Sequence, residues 1–176
     1  MQRVMIVGGP GSGKSTLAQA LSVLSGLPVF HIDHIHWQAG WVERPRAAKI
    51  ALCRQVHAQD RWIFEGGMSV TYAERLVRAD TLIWLDLPVG LRFWRVLRRT
   101  AVYLGQTRPD LPYGCREALN HETLPFWRFI WRTRQTCRLP LLAIVASPPP
   151  HLRIVHLRNR AEVRQFLESN APDNPF

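Results

Sequence analysis

Residues 4–16 read Val-Met-Ile-Val-Gly-Gly-Pro-Gly-Ser-Gly-Lys-Ser-Thr, a short apolar run that leads into a glycine-rich turn. The turn fits the phosphate-binding pattern G-x-x-x-x-G-K-[ST], whose fixed positions fall on Gly8, Gly13, Lys14 and Ser15. Its surroundings also fit, because the apolar run from Val4 to Val7 predicts a buried strand and residues 14–25 predict a helix. The stretch therefore predicts a strand, a phosphate-binding loop (P-loop) and a helix in direct succession.

The P-loop pattern has a direct chemical interpretation. Glycines leave backbone N–H groups free to converge on phosphate oxygens, and the following helix adds the positive end of its dipole. Lys14 reaches the β- and γ-phosphates of a nucleoside triphosphate, and Ser15 offers its hydroxyl to Mg²⁺. We therefore predict ATP and Mg²⁺ as cofactors, with nucleotide contacts from Gly8, Gly9, Pro10, Gly11, Ser12, Gly13, Lys14, Ser15 and Thr16. The glycine spacing does not fit the dinucleotide pattern G-x-G-x-x-G, which argues against hydride transfer.

Composition limits the class of protein. The chain has 176 residues, of which 47% are hydrophobic, and its formal net charge is +10 at pH 7. This length and apolar content predict one packed domain over residues 1–176 and exclude a disordered or repetitive chain. The sequence shows neither an apolar run long enough to span a bilayer nor a signal peptide. Together with three widely spaced cysteines, these features favour a cytoplasmic protein with reduced thiols.

Short apolar segments alternate with helical patterns along the chain. The apolar segments predict five strands, at residues 4–7, 29–32, 61–65, 81–87 and 153–157. The helical patterns fall at about 14–25, 45–58, 71–79, 89–104, 126–146 with an interruption at Pro140, and 161–169. Residues 33–41 predict a loop, and the chain beyond 169 predicts a frayed tail. The alternation predicts right-handed crossovers, a parallel sheet and helices on both faces, which is a three-layer α/β/α fold.

Further motifs carry a resemblance to a known family over nearly the whole chain. They are Val29-Phe-His-Ile-Asp-His-Ile-His-Trp37, Gly40-Trp41, Trp84-Leu-Asp-Leu-Pro88, Trp94-Arg-Val-Leu-Arg-Arg-Thr100 and Thr107-Arg-Pro-Asp110. With the P-loop and the short core, they resemble the adenylate kinase-like group of small-molecule kinases. Within that group the sequence is similar to bacterial DNA topology modulation proteins of the FlaR type. The resemblance implies a five-stranded sheet of order 2-3-1-4-5 and a short helical, arginine-rich lid at roughly 100–135.

The resemblance also assigns roles to two acidic residues at strand ends. In the implied strand order, the ends of strands two and three lie beside the P-loop. Asp33 would orient or deprotonate the acceptor hydroxyl, or reach Mg²⁺ through water, and capping of a loop is its structural alternative. Glu65 resembles the acidic or glycine-rich element that closes the acceptor site of nucleotide kinases, and it is also a candidate metal ligand with Ser15 and Asp33. Residues 65–69 read Glu-Gly-Gly-Met-Ser where adenylate kinases carry Asp-Gly-Phe-Pro-Arg, so AMP is not a favoured acceptor.

Arginines are expected on the nucleotide side of the site. By the same resemblance, Arg95 and Arg99, four residues apart on one helical face, would lie near the base and the phosphates of ATP. Arg132 is the preferred lid residue, ahead of Arg128 and Arg134, for stabilising charge on the transferring phosphoryl group. Arg158-Asn159-Arg160 follows strand five, where the resemblance implies the adenine-contacting loop; Arg158 is the candidate contact, and packing or solvation is its structural alternative. The implied catalytic set is Lys14, Asp33, Arg95, Arg99 and Arg132.

Three features leave other interpretations open. Asp86 resembles a Walker B acid, but by the implied topology it falls on strand four, where a structural role is favoured. The histidines of residues 31–36 could bind zinc, although an acceptor pocket shared with Trp37 and Trp41 is preferred. The charge of +10 permits a second function, in which bound ATP positions the basic surface of residues 92–138 on a DNA backbone without sequence preference. The first hypothesis is a kinase whose acceptor is a small nucleoside-like, nucleotide-like or other hydroxyl compound.

Overall fold

A computed structural model describes residues 1–171. Its main sheet consists of β1 (Arg3–Gly8), β2 (Val29–His31), β5 (Trp62–Glu65), β6 (Thr81–Leu85) and β7 (Arg153–Leu157). A separate antiparallel hairpin is formed by β3 (Trp37–Gln38) and β4 (Val42–Glu43). All five sheet strands lie within two residues of their predicted positions. Of the predicted frayed tail, residues 172–176 lie outside the described residues.

The strand β1 occupies the centre of the parallel sheet, whose order is β2-β5-β1-β6-β7. Val4 lies opposite Ile63 of β5 on one side and opposite Thr81 of β6 on the other. Numbered along the whole chain, this order differs from the expected 2-3-1-4-5, because the hairpin adds two strands that the sequence did not predict. When only the sheet strands are counted, they follow the expected succession of neighbours.

Helices cover both faces of the sheet. Residues 1–171 contain α1 (Lys14–Ser25), α2 (Ile32–His36), α3 (Arg46–His57), α4 (Tyr72–Arg78), α5 (Val89–Val102), α6 (Thr123–Arg132), α7 (Leu139–Ala146) and α8 (Arg160–Glu168). In β1, Met5 and Val7 belong to one apolar core and Val4 and Ile6 to the other, as the alternation of a strand requires. The first core includes side chains of α2, α3 and α7, and the second includes side chains of α1 and α8. The predicted three layers are therefore present. None of these helices is long and apolar enough to cross a membrane.

Two segments differ from the sequence prediction. The predicted loop at 33–41 is instead α2 followed by the hairpin, because Ile32 and Ile35 lie on one helical face and are buried. The long stretch at 126–146 is divided into α6 and α7 by turns before residue 139. Pro140 lies in the first turn of α7, where a missing N–H removes no helical hydrogen bond, so it begins a helix rather than interrupting one.

Residues 103–122, between α5 and α6, are mostly irregular, and we call them the lid segment. Backbone hydrogen bonds close this segment on itself. The Gly105 N–H donates to the Glu117 carbonyl over 2.8 Å, and the Glu117 N–H donates to the Gln106 carbonyl over 2.9 Å. The segment lies inside the lid that was predicted at roughly 100–135.

Candidate active site

The P-loop connects β1 to α1 at the carboxyl edge of the sheet, which is where open α/β folds bind their ligands. Three of its glycines have positive φ, a region that residues with a Cβ rarely adopt. The φ angle is +152° at Gly8, +75° at Gly11 and +95° at Gly13. Only a chain with this freedom turns tightly enough for successive N–H groups to surround a phosphate.

Close packing against α5 fixes the shape of the P-loop. A Cβ on Gly9 would lie 1.7 Å from Nη1 of Arg92, and one on Gly11 would lie 2.2 Å from the Arg92 carbonyl oxygen. The buried Arg92 side chain also donates from Nε to the Leu87 carbonyl over 3.1 Å. Within the described residues, the buried hydroxyl of Ser12 has no hydrogen-bond partner. An unpaired hydroxyl inside a glycine cradle fits a loop that receives an oxyanion.

The side chain of Ser15 is the meeting point of three separate parts of the chain. Its hydroxyl lies 3.1 Å from Glu65 Oε1 at the end of β5 and 3.3 Å from Asp110 Oδ2 of the lid segment. The neighbouring Lys14 folds back over the loop, where Nζ donates to the Gly9 carbonyl over 3.3 Å. Hydroxyl and carboxylate oxygens suit Mg²⁺, which usually takes only one or two protein ligands and keeps water and phosphate oxygens for the rest.

Four side chains lie together beside the P-loop, and we call them the acidic cluster: the carboxyls of Asp33, Glu65 and Asp110, and the imidazole of His31. His31 Nδ1 lies 2.7 Å from Glu65 Oε1. Burial alone would lower the pKa of His31, but the hydrogen bond and charge of Glu65 outweigh it, so that this pKa is raised. Burial raises the pKa of Asp33, the charge of Glu65 raises it further, and the charge of Lys14 opposes both. A carboxyl with opposing influences of this kind is a candidate for proton transfer.

Arginines of α5 line the same cleft. Arg95 Nη1 donates to the Ser12 carbonyl over 3.0 Å, and Arg99 Nε lies 3.7 Å from Glu117 Oε1. Burial lowers the pKa of the Arg92, Arg95 and Arg99 guanidinium groups. Because burial makes these positive charges costly, an incoming anion would stabilise them, which suits this wall to phosphate groups.

An ion-pair network orients the lid segment toward the P-loop. The Arg108 guanidinium lies 3.0 Å from Asp110 Oδ2 and 2.8 Å from Glu117 Oε1. The Arg108 side chain is only 8% exposed, so these pairs are largely shielded from water. Arg108 thereby holds Asp110 where its second contact is the Ser15 hydroxyl.

A further part of the cleft wall comes from residues 31–72 and is rich in aromatic side chains. The rings of Trp37 and Trp41 meet edge to face with their centroids 5.3 Å apart. Within residues 1–171, Trp41 and Met68 are the two non-glycine residues with positive φ, at +62° and +69°, and both line the cleft. Such strain costs about 1–3 kcal/mol per residue and is found preferentially at functional sites. The whole cleft has a volume of about 2230 Å³, which leaves room for a nucleotide and an acceptor together.

Most of the predicted site residues line this one cleft. They are Asp33, Glu65, Arg95, Arg99 and all nine P-loop residues from Gly8 to Thr16. Two predicted residues do not line it: Arg132 is exposed on α6, and Arg158 is exposed after β7. The buried residue of α6 is Ile130, and a side chain two positions further lies on the opposite face of the helix. Arg134 and Arg160, two residues further along the chain in each case, line the cleft instead.

Three residues at the centre of the site received no chemical role from the sequence. Arg108 and Asp110 belong to the Thr107-Arg-Pro-Asp110 motif, which contributed only to the family resemblance. The signal that the sequence offered for their role was an arginine and an aspartate on either side of Pro109, inside the predicted lid. Arg92 was one of several arginines on α5, and nothing in the sequence distinguished it as the residue that packs on the P-loop.

Asp86, the Walker B-like residue, has structural partners. Its carboxylate accepts two hydrogen bonds from Arg138, over 2.8 Å and 2.7 Å, and lies 3.1 Å from His156 Nε2. Burial alone would raise the pKa of Asp86, but the hydrogen bonds of Arg138 and His156 lower it. Its oxygens are thus engaged in joining the turn before α7 to the sheet. Among residues 1–171, no three His, Cys, Asp or Glu side chains form a potential metal-binding group.

Comparison with known proteins reveals a likeness of fold. No protein-family model matches the sequence, and no curated protein matches it. The structure is similar to that of shikimate kinase from Acinetobacter baumannii in complex with shikimate, with a TM-score of 0.58 and 17% identity over 96% of this chain and 90% of that chain. It is also similar to shikimate kinase from Bacteroides thetaiotaomicron, with a TM-score of 0.57 and 16% identity over 96% of this chain and 95% of that one. This chain therefore shares its fold with these two shikimate kinases.

Proposed function

We propose that this protein is an ATP- and Mg²⁺-dependent phosphotransferase that moves the γ-phosphate of ATP to a hydroxyl group of a small acceptor. The observation that carries the proposal is a single cleft in which the P-loop meets an acidic cluster. The Ser15 hydroxyl contacts Glu65 and Asp110, and Asp33 lies beside them. A protein that only bound nucleotide would not need a partly buried carboxyl with a raised pKa at this place. The likeness in fold to shikimate kinases supports the same class of reaction.

The residues on the nucleotide side fit Mg·ATP. The P-loop backbone would bind the β- and γ-phosphates, and Lys14 would exchange the Gly9 carbonyl for their oxygens. Mg²⁺ held by Ser15, with Asp33 and Glu65 behind its water ligands, would neutralise charge on those phosphates. Arg95 and Arg99 remain the arginines for the base and phosphates.

The cleft changes two of the expected arginine assignments. We assign the charge-stabilising role in the lid to Arg134 rather than Arg132, because only Arg134 lines the cleft. For the same reason, we assign the contact near the base to Arg160 rather than Arg158. Each replacement lies two residues beyond the predicted position: Arg134 is in the turns after α6, and Arg160 is the first residue of α8.

Asp33 is the residue we assign to proton transfer on the acceptor side. Because its pKa is raised by burial and by Glu65, it accepts a proton more readily than an exposed carboxylate does. The acceptor hydroxyl would give its proton to Asp33 while its oxygen bonds to the γ-phosphorus, and the bond to the ADP oxygen would break. The lid segment, which contacts Ser15 through Asp110, would limit the access of water as a competing acceptor.

An acceptor screen that follows ADP formation tests the proposal. Wild-type protein, Lys14→Ala and Arg61→Ala are each incubated with Mg·ATP and a panel of small hydroxyl compounds. Arg61 is an exposed basic residue outside the cleft and serves as the control. At least one acceptor is expected to stimulate the wild type and Arg61→Ala but not Lys14→Ala. If no compound raises turnover above that of Lys14→Ala, the protein is not a phosphotransferase for small hydroxyl acceptors.

A second candidate function is supported by charge. The net charge is +10, and Arg98, Arg128 and Arg132 are exposed on α5 and α6. Together with the resemblance to FlaR-type DNA topology modulation proteins, this supports ATP-gated binding of DNA through its backbone. Such binding should tolerate any sequence, require ATP and weaken steeply with salt. Failure of duplex DNA to bind at about 50 mM salt, where phosphate contacts are strong, excludes this function.

Either function uses ATP, and with three free cysteines we place the protein in the cytoplasm.

A further inference from the structure

We propose that the acceptor is a hydroxyl-bearing ring compound that carries no phosphate or carboxylate group. This inference rests on the proposed phosphotransfer and narrows the class of its acceptor. It follows from the distribution of charge in the cleft, where basic and acidic side chains lie on different walls.

We call the part of the cleft formed by residues 31–72 the acceptor wall. Its ionisable side chains include three acids and a histidine, namely His31, Asp33, Glu43 and Glu65. No lysine or arginine from this stretch of the described chain lines the cleft. The basic side chains of the cleft come instead from the P-loop, α5, the lid segment and the chain after residue 133. Phosphate-binding charge is therefore concentrated on the nucleotide side.

Two basic residues close to the acceptor wall in the sequence, Lys49 and Arg75, already have partners within the protein. Lys49 is buried and lies 2.5 Å from Glu43. Arg75, the first arginine after β5, is fully buried and donates to the carbonyl oxygens of Gly66 and Gly67 over 3.1 Å and 3.2 Å. Neither side chain lines the cleft, so neither is placed to bind an anionic group of the acceptor.

Two arginines that interact electrostatically with Asp33, Arg99 and Arg108, are already paired with acids. Arg108 pairs with Asp110 and Glu117, and Arg99 lies beside Glu117. Lys14, whose charge also acts on Asp33, is assigned to the phosphates of ATP, so with nucleotide bound an anionic group would meet the negative charge of Asp33 and Glu65 with no lysine or arginine of the acceptor wall itself to offset it. Like charges in a partly buried site repel strongly, so the wall selects against carboxylates and phosphates.

Aromatic side chains make the acceptor wall suitable for a ring. Trp37, Trp41 and Tyr72 line it, and the Trp41 indole N–H donates to the Arg116 carbonyl of the lid segment over 2.8 Å. This hydrogen bond fixes the indole next to the lid segment. The face of an aromatic ring is electronegative, so it favours flat apolar surfaces and cations over anions. Shape and charge thus point to the same class of acceptor.

Pairs of compounds that differ only in charge test the inference. One pair is shikimate and its methyl ester, and the other is a nucleoside and its 3′-monophosphate, which keeps the same 5′-hydroxyl. Binding is measured by tryptophan fluorescence with Mg·ADP present, and ADP formation is measured with Mg·ATP. In at least one pair, the uncharged member is expected to bind at least about tenfold more tightly than its anionic partner. Equal or tighter binding of the anionic members overturns the inference, and so does a lack of binding by every uncharged compound.

The same measurements separate this inference from the proposed function. Tighter binding of uncharged compounds without ADP formation in any pair contradicts phosphotransfer but supports the charge preference of the wall. Phosphorylation of the anionic members at equal or higher rates confirms phosphotransfer and contradicts the charge preference.

Two glutamate variants provide a matched control. Glu43 pairs with Lys49 and Glu74 pairs with Arg54, both near the surface, but only Glu43 lines the cleft. Removing the charge of Glu43 at the rim of the wall, in Glu43→Gln, is expected to raise the affinity for the anionic compounds about fivefold. Glu74→Gln is expected to leave it unchanged. Equal affinities in the two variants contradict the assignment of Glu43 to a wall that repels anions.

Discussion

Asp33 lies close to Glu65 and Lys14, so its carboxyl is subject to charges of both signs. Its pKa is raised by burial first and by Glu65 second, and more of it is protonated at a given pH than of an exposed aspartate. Only the ionised form can accept a proton from a hydroxyl group. Activity that depends on Asp33 is therefore lost as the pH falls through this raised pKa, at a higher pH than for an ordinary carboxyl.

Replacement of Asp33 tests this assignment. Asp33→Asn is expected to lower kcat about 10²- to 10⁴-fold, because the amide cannot accept the proton. The acidic limb of the pH profile should disappear from the residual activity, while the Kd for Mg·ATP changes little. Asp60, whose side chain is 95% exposed, supplies the control variant Asp60→Asn. An unchanged kcat in Asp33→Asn would mean that another group takes the proton.

At the scale of elements, the P-loop and α5 are in direct backbone contact. A Cβ on Gly11 would lie 2.2 Å from the Arg92 carbonyl oxygen, and φ at Gly11 is +75°. A Cβ on Gly9 would meet only the end of the Arg92 side chain, at 1.7 Å from Nη1. A flexible side chain can move aside, whereas a helical carbonyl cannot move without the helix. The two glycines therefore differ in how well they tolerate a methyl group.

Alanine at the two glycines measures that difference. Gly11→Ala is expected to lower the free energy of unfolding by about 2 kcal/mol, from overpacking and backbone strain, and to weaken ATP binding at least about tenfold. Gly9→Ala is expected to cost less than about 1 kcal/mol, since Arg92 can adopt another rotamer. Denaturant unfolding and calorimetric titration with Mg·ATP give both quantities. Similar losses in the two variants would contradict the packing of the P-loop against the α5 backbone.

The ion pair between Asp86 and Arg138 connects the turn before α7 to the end of β6, and its contribution should depend on pH. Hydrogen bonds from Arg138 and His156 outweigh burial and lower the pKa of Asp86. A lowered pKa in the folded state gives stability that is present above the ordinary carboxyl pKa and is lost as the pH falls through the folded value. The pair thus stabilises the protein at neutral pH and stops doing so in acid.

Asp86→Asn tests this pH dependence. At neutral pH the variant is expected to lose about 2 kcal/mol of the free energy of unfolding, a value suited to hydrogen bonds with charged partners. Below about pH 4 the difference from wild type should shrink, because the wild-type carboxylate becomes protonated as well. Urea unfolding at several pH values measures it. A difference that stays constant across this range would show that the charge of Asp86 is not what stabilises the turn.

Considered over the whole molecule, the proposed ATP site is assembled from β1, β5, α5 and the lid segment, so it would exist only in the folded protein. A ligand that binds only the folded state stabilises it by mass action. Mg·ATP at 100 times its Kd is therefore expected to raise the free energy of unfolding by about 2.7 kcal/mol. The Tm should rise by about 5–10 °C, and Lys14→Ala should lose most of that rise. Thermal unfolding that is unaffected by Mg·ATP would contradict nucleotide binding, and with it both proposed functions.

Much of the fold could be predicted from the sequence because its signals are local. The strands of the sheet are short and mostly apolar, and the helix from Lys14 to Ser25 has the predicted bounds. The hairpin and α2 were missed because two-residue strands and a five-residue helix are too short to show a period. Ile32 and Ile35 are buried through contacts with distant residues, which outweigh the loop-like local sequence.

The sequence alone predicted the P-loop and the phosphate binding proposed for it, because the glycines, Lys14 and Ser15 are adjacent and the backbone needs of each are met within a few residues. The tertiary structure alone decided which distant side chains share that site. Asp110 lies 95 residues from Ser15 and contacts it through a lid segment that Arg108 orients. The rotation of α6 turns Arg132 away from the cleft, whereas Arg134, in the turns that follow, lines it. Contacts of this range depend on strand order, helix rotation and packing, which no local pattern encodes.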